Sequence, residues 1–171
     1  MRRALFLAGL STLVLNLISG RPQPSLRPDL SREALISLGQ EYSDLQQWAA
    51  AVTAATDTLS ADNAERSRVL AGQLAKLIRP LERDFEETTA ALSTTQLELV
   101  LPLWERMAFA HAGLVMLEEE AAALGGDPAL QPSELREFVA QLSAVLDFAA
   151  EIQSLLLDEL TAPIPSSIRI T

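Results

Sequence analysis

The stretch SELREFVAQLSAVLDFAAEIQSLLLDEL, residues 133–160, decides the fold. Its apolar residues recur at alternating intervals of three and four positions, which places them on one face of an α-helix. They are Leu135, Phe138, Leu142, Val145, Ala149, Ile152 and Leu156. The pattern predicts a helix over about residues 133–161, which Pro163 and Pro165 end. Such a helix has to bury its apolar face, so the chain must supply other elements to cover it.

The same spacing recurs three times upstream and predicts helices over about residues 32–58, 62–92 and 94–124. The first has Leu35, Leu38, Tyr42, Leu45, Ala49, Val52 and Leu59; the second has Leu70, Leu74, Leu77, Ile78, Leu81, Phe85 and Leu92; the third has Val100, Leu103, Met107, Ala110, Leu114, Leu117, Ala121 and Leu124. Thr56 is the single interruption of the first series. We expect the third helix, which is the most apolar, to be the most buried.

Signals for helix starts support these assignments. Ser31 is predicted to be an N-cap because an acidic first turn follows it. Ser93-Thr94-Thr95-Gln96 fits a capping box, in which Ser93 accepts from the backbone of Gln96 and the Gln96 side chain accepts from the backbone of Ser93. Each signal predicts that a helix begins there.

Prolines and glycines modify the helices. Pro80 removes a backbone donor, which predicts either a kink near residues 77–79 or a break into two shorter helices. Pro102 predicts a bend in the third helix. Gly125 and Gly126 are expected to end that helix, because glycine tolerates the left-handed closing turn.

The predicted fold class is all-α: an antiparallel up-down four-helix bundle over residues 31–162, preceded by an N-terminal hydrophobic helix. Helices of nearly thirty residues are about 40 Å long, so short turns can only join them antiparallel. Residues 163–171 form a C-terminal tail, either frayed or used as a docking strand.

Residues 1–20 predict export. Arg2 and Arg3 precede the uncharged apolar segment 4–20, whose length lies between that of a signal-peptide core and that of a membrane span. A cleaved signal peptide and an uncleaved signal anchor both remain open. The arginines are expected to stay in the cytoplasm, which puts the bundle on the extracytoplasmic, periplasmic side, membrane-anchored or exported. The proline-rich segment 21–30 is the predicted spacer.

Composition argues against several functions. The formal charge is −10, and a protein that binds nucleic acid needs a basic surface, so we expect no nucleic-acid partner. Cysteine is absent, which excludes disulfides and thiolate metal sites in this chain. Neighbouring carboxylates in the acidic runs 82–87 and 118–120 diverge around a helix, so we interpret both runs as solvated faces and predict no metal site.

His111 is the only histidine, and it is the one candidate ligand for a haem or chlorin. The alternative interpretation is a partly buried histidine beside the helix seam. No nucleophile elbow or oxyanion turn accompanies it, so we expect no catalytic residues and no enzyme activity.

The sequence therefore favours a non-catalytic accessory or scaffold subunit, anchored through residues 4–20, whose bundle binds a protein partner or a larger membrane complex. One alternative is a soluble periplasmic binding or chaperone-like bundle. A second alternative is a haem- or chlorin-binding bundle that uses His111.

Overall fold

The computed structural model describes residues 28–59 and 63–161, with side chains from Ser31 onward. Within these residues the structure is all-helical and has no strand. The helices are α1 (Pro28–Asp57), α2 (Ala64–Ile78), α3 (Pro80–Ala91), α4 (Thr94–Gly126) and α5 (Pro132–Thr161). The predictions made for residues 1–20, for most of the spacer and for the tail 163–171 lie outside the described residues.

Helix α1 begins earlier than predicted, at Pro28 within the expected spacer. Proline suits the first turn of a helix because its fixed φ is helical and its missing N–H would have no partner there. Ser31, the expected N-cap, therefore lies inside the helix. It is buried and accepts a hydrogen bond from Gln96 Nε2 at 2.9 Å.

Pro80 divides the predicted second helix into α2 and α3. Only Arg79 separates them, and its backbone is helical, with φ −50° and ψ −43°. The Arg79 amide still donates to the carbonyl of Ala75 at 3.1 Å. Because the dihedral angles stay helical through the junction, α2 and α3 form one bent rod, and the described residues make four rods in all.

The capping box at the start of α4 is confirmed. The Gln96 amide donates to Ser93 Oγ at 3.2 Å, and the Ser93 amide donates to Gln96 Oε1 at 2.9 Å. Pro102 lies within α4 without ending it, and the helix runs to Gly126. A four-residue signal thus fixes the position at which the longest helix begins.

Most residues of the predicted apolar faces form one core, but Leu77 of the second series is 37% exposed and lies outside it. The largest fully buried side chains among the described residues are Tyr42, Phe138, Leu35, Leu38, Leu74, Ile78, Leu81, Met107, Leu114, Leu130, Leu135 and Leu142. Thr56, the interruption in the first series, is buried as well, and its hydroxyl donates to the carbonyl of Thr53 at 2.8 Å. Because that bond lies within its own helix, the polar side chain fits the apolar face.

Three polar contacts link α1 and α5 along their lengths, and they show in which order the residues of the two helices pair. Along α1 and α5, Gln153 Nε2 donates to the carbonyl of Leu35, Gln46 donates to Asp147, and Arg136 reaches Asp57 near the end of α1. The meeting residues therefore run in opposite order along the two helices.

Helices α2 and α4 also meet in opposite order, and they approach closely at Gly125. Arg68 donates to the carbonyl of Gly125, whereas Arg79 binds Glu118, about two turns earlier in α4. A Cβ added at Gly125 would lie 3.1 Å from the backbone nitrogen of Gly72. Glycine is needed at residue 125 because the two backbones touch there.

Helix α5 is the one described helix that is long and apolar enough to cross a membrane, by length and composition alone. It packs against α1 and α4 and has nine buried residues, against eight in α4. The expectation that residues 94–124 form the most buried helix is therefore wrong. Helix α4 is apolar on more of its circumference than its neighbours cover.

Candidate site: a buried histidine and tyrosine beside two carboxyl groups

His111 lies in the core rather than at its edge, with only 4% of its surface exposed. Its Nε2 forms a hydrogen bond with the hydroxyl of Tyr42, a fully buried residue of α1. The same hydroxyl lies 3.4 Å from Met107 Sδ, one helical turn before His111 in α4. The pair thus joins the two helices through a hydrogen bond inside an aliphatic core.

Aromatic rings complete this part of the core. The Phe85 ring of α3 stacks on the His111 ring, with centroids 4.1 Å apart and planes at 14°. The Trp104 ring stacks on Phe85 at 5.1 Å and 12°. We call Tyr42, Phe85, Trp104, Met107 and His111 the aromatic cluster. It brings together α1, α3 and α4, so docking of α3 depends on it.

Burial keeps the hydrogen-bonded pair uncharged. It lowers the pKa of His111 from 6.5 to about 3, because the apolar surroundings disfavour the imidazolium, although the charge of Asp84 acts in the opposite direction. Burial also raises the pKa of Tyr42, with a smaller contribution from the charge of Glu41. At neutral pH the arrangement is therefore a neutral imidazole bonded to a neutral phenol.

Two carboxyl groups meet beside the cluster. Glu41 of α1 lies beside Asp84 of α3, close enough for an interaction between the two side chains to affect the pKa of Glu41. Burial, this interaction and the charge of Asp84 raise the pKa of Glu41 from 4.5 to about 7, while the nearby charge of Arg83 lowers it. Arg83 binds Asp84 at 3.0 Å and Glu87 at 3.6 Å. Asp84, assigned from sequence to a solvated face, thus lies at a helix interface.

The described residues hold no group of three or more acidic or histidine side chains that could bind a metal ion. In the run 118–120, Glu118 accepts two hydrogen bonds from Arg79, at 2.8 and 3.0 Å. Within this run, Glu119 and Glu120 lie on a solvated face, whereas the Glu118 side chain is 19% exposed and paired with Arg79.

The surroundings of His111 leave little room for a large cofactor. Its Nε2 is engaged by Tyr42 and its ring is covered by Phe85. The cavity that adjoins it measures about 30 Å³, whereas pockets for organic ligands measure about 300–1,000 Å³. Ligation of a haem or chlorin would require this part of the core to open.

Tyr42 is the partner that sequence reasoning missed. It occupies an apolar position of α1 and is the only tyrosine of the chain. A buried tyrosine hydroxyl normally needs a hydrogen-bond partner, and His111 was the one buried imidazole to consider. The need for such a partner could have pointed to His111. The separation of 69 residues in the sequence carries no information about whether the two side chains meet.

The outer face of α4 was also missed. Phe109 is 73% exposed and Met116 is 62% exposed, and residues seven apart lie on the same side of a helix. Leu99, near the start of the helix, is 58% exposed. We call Phe109 and Met116 the outer apolar face; Leu99 lies about a quarter turn away around the helix. Exposed charged residues adjoin it: Glu98, Glu105, Arg106, Glu119 and Glu120.

In comparisons with protein-family models, curated proteins and solved structures, no match to this chain was found.

Proposed function

We propose that this protein is a non-catalytic accessory or scaffold subunit. Residues 4–20 hold it at the extracytoplasmic side of a membrane, and the helical domain binds a protein partner or a larger membrane complex. The outer apolar face is the surface that contacts the partner. This function accounts for the exposure of Phe109 and Met116, which are the two most exposed large apolar side chains of the described residues.

The proposal includes an up-down arrangement of the four rods. Two observations support it: residues meet in opposite order along α1 and α5, and again along α2 and α4. The connection of residues 127–131 between α4 and α5 is short, which favours antiparallel neighbours. In such a bundle the ends are loops, so a partner has to bind along the sides of the helices.

The observation that carries the proposal is the exposure of Phe109 and Met116 on one side of α4. An isolated exposed apolar residue needs no explanation, but large ones grouped on one helix face are typical of interaction surfaces. Methionine and phenylalanine are also among the residues enriched at protein interfaces. Acidic residues border the face, so a partner helix with apolar and basic residues would fit it best.

The buried polar groups support a structural role. His111 Nε2 and the Tyr42 hydroxyl are hydrogen-bonded to each other, and both side chains are neutral at neutral pH. Neither group is exposed to an external substrate. The haem or chlorin alternative is less favoured, because His111 already bonds to Tyr42 through Nε2.

A pull-down of the full chain in mild detergent, followed by mass spectrometry, tests the proposal. We expect a partner at stoichiometric yield with the unmodified chain and its loss with F109E/M116E. A51E/A54E is the matched control, because it adds the same charge on exposed positions of α1. Recovery of the chain alone, or equal loss with both variants, would contradict the proposed function.

N-terminal sequencing of the membrane fraction tests the anchor separately. An intact N-terminus supports anchoring through residues 4–20. A mature start near Arg21 would remove the anchor and favour the soluble binding or chaperone-like alternative.

A further inference from the structure

A small cavity lies at the bend between α2 and α3, where these helices face α4. Its volume is about 30 Å³. The residues around it come from both sides of the bend and from two turns of α4: Ile78, Arg79, Leu81, Glu82, His111, Leu114, Val115 and Glu118.

The inner end of the cavity is apolar except for His111. Ile78, Leu81 and Leu114 are almost completely buried there. His111 Nδ1 is also buried and has no hydrogen-bond partner among the described protein groups, whereas Nε2 bonds to Tyr42. A buried polar atom without a partner is unfavourable, and native proteins satisfy such atoms with protein groups or ordered water.

The outer end of the cavity is polar and reaches the surface. Arg79 binds Glu118 there at 2.8 Å, and Glu82 is exposed. Ordered water needs two to four polar partners, and a cavity of about 10–15 Å³ or more can hold one molecule. His111 Nδ1 on the inside and the Glu118 carboxylate on the outside provide such partners, and the volume fits.

We propose that this cavity binds a water molecule that hydrogen-bonds to His111 Nδ1 and connects it to Glu118 and the solvent. Water suits this position better than a cation or an anion, because it donates and accepts. It therefore satisfies Nδ1 whichever ring nitrogen carries the proton. This inference does not depend on the proposed function.

NMR on the full chain in detergent micelles tests occupancy directly. His111 is the only histidine, so its ring signals need no further assignment. We expect a cross-peak between bound water and the His111 ring, and a ¹⁵N shift of Nδ1 typical of a hydrogen-bonded nitrogen. An unmodified chain without the water cross-peak would overturn the proposal.

A double-mutant cycle tests the link between the water and Nδ1. V115L fills the cavity, and H111F removes the nitrogen while keeping a ring in place. We expect V115L to lower the folding equilibrium constant about tenfold in the unmodified chain, because the nitrogen loses its partner. In the H111F background, V115L is expected to have little effect or to stabilise.

V69L is the matched control, since it makes the same change at an exposed position outside the cavity. Its effect should not depend on residue 111. Equal effects of V115L in both backgrounds would overturn the link to His111. Should V115L fail to fold, the water cross-peak in the unmodified chain still decides the proposal.

Discussion

At the scale of single residues, the hydrogen bond between Tyr42 and His111 is the main polar interaction of the described core. Two neutral groups meet there across helices, 69 residues apart in the chain. A buried hydrogen bond contributes modestly when both partners are present, but removal of one partner leaves the other unsatisfied. The pair therefore favours the packing arrangement in which Tyr42 and His111 face each other, because any other arrangement leaves a buried polar group unsatisfied.

Tyr42→Phe removes the hydroxyl and leaves His111 Nε2 without its partner. We expect the free energy of unfolding to fall by about 1–3 kcal/mol, measured by urea denaturation. In the H111F background no nitrogen is left unpaired, so the same substitution should cost much less. Equal costs in both backgrounds would contradict the role assigned to this bond.

Glu41 and His111 make opposite contributions to the pH dependence of stability. The pKa of Glu41 is raised in the folded state, so its contribution is present below pH 4.5 and is lost as the pH rises to about 7. The pKa of His111 is lowered, so its contribution is present above pH 6.5 and is lost as the pH falls to about 3. The two slopes oppose each other between about pH 4.5 and 6.5.

Glu41→Gln removes the contribution to stability that decreases as the pH rises and leaves the His111 contribution, which increases as the pH rises. We expect the stability of this variant to increase with pH from about 4.5 to 6.5, where the unmodified chain changes little. Urea midpoints measured between pH 3 and 8 test this expectation. E86Q, at an exposed position of α3, is the control and should keep the profile of the unmodified chain.

At the scale of elements, the start of α4 depends on a local signal. Ser93→Ala removes the side-chain oxygen that accepts from the Gln96 amide. We expect a loss of about 1 kcal/mol in the free energy of unfolding, within the range measured for N-cap serines. Thr94→Ala, at the exposed next position, is the control and should change stability less. Equal losses would show that the cap contributes nothing specific.

Features encoded within one turn of helix could be predicted from the sequence, and features set by distant contacts could not. The Ser93 capping box and the interruption at Pro80 follow from neighbouring residues. The apolar series of α1 and α5 also match the buried faces, because each helix has one clear apolar side. Helix α4 is apolar around most of its circumference, so no pattern indicated that Phe109 would be exposed.

At the scale of the whole molecule, the bent rod of α2 and α3 packs against α4 through direct backbone contact at Gly125. Tertiary structure sets this requirement, because Gly125 lies inside the final turn of α4 rather than serving only to end it. The candidate site has the same origin, since Tyr42, Phe85 and His111 come from three helices. Packing of the rods, rather than any local motif, assembles both features.

Gly125→Ala would place a Cβ 3.1 Å from the backbone nitrogen of Gly72. Backbone cannot move aside as a flexible side chain can, so we expect a loss of about 1–3 kcal/mol in the free energy of unfolding. Gly126→Ala is the matched control, because nothing lies within 4 Å of its added Cβ. Guanidinium denaturation of both variants measures the difference, and equal stabilities would contradict the close crossing.

The stacking of Phe85 between His111 and Trp104 makes the second tryptophan an optical reporter of α3. Trp104 is 4% exposed, while Trp48, the other tryptophan, is 47% exposed. In a W48F background, fluorescence arises from Trp104 alone. Phe85→Ala should then move its emission maximum to longer wavelength, as the indole gains contact with water. Undocking of α3, whether by mutation or by a bound partner, can thus be followed in real time through the emission wavelength of Trp104.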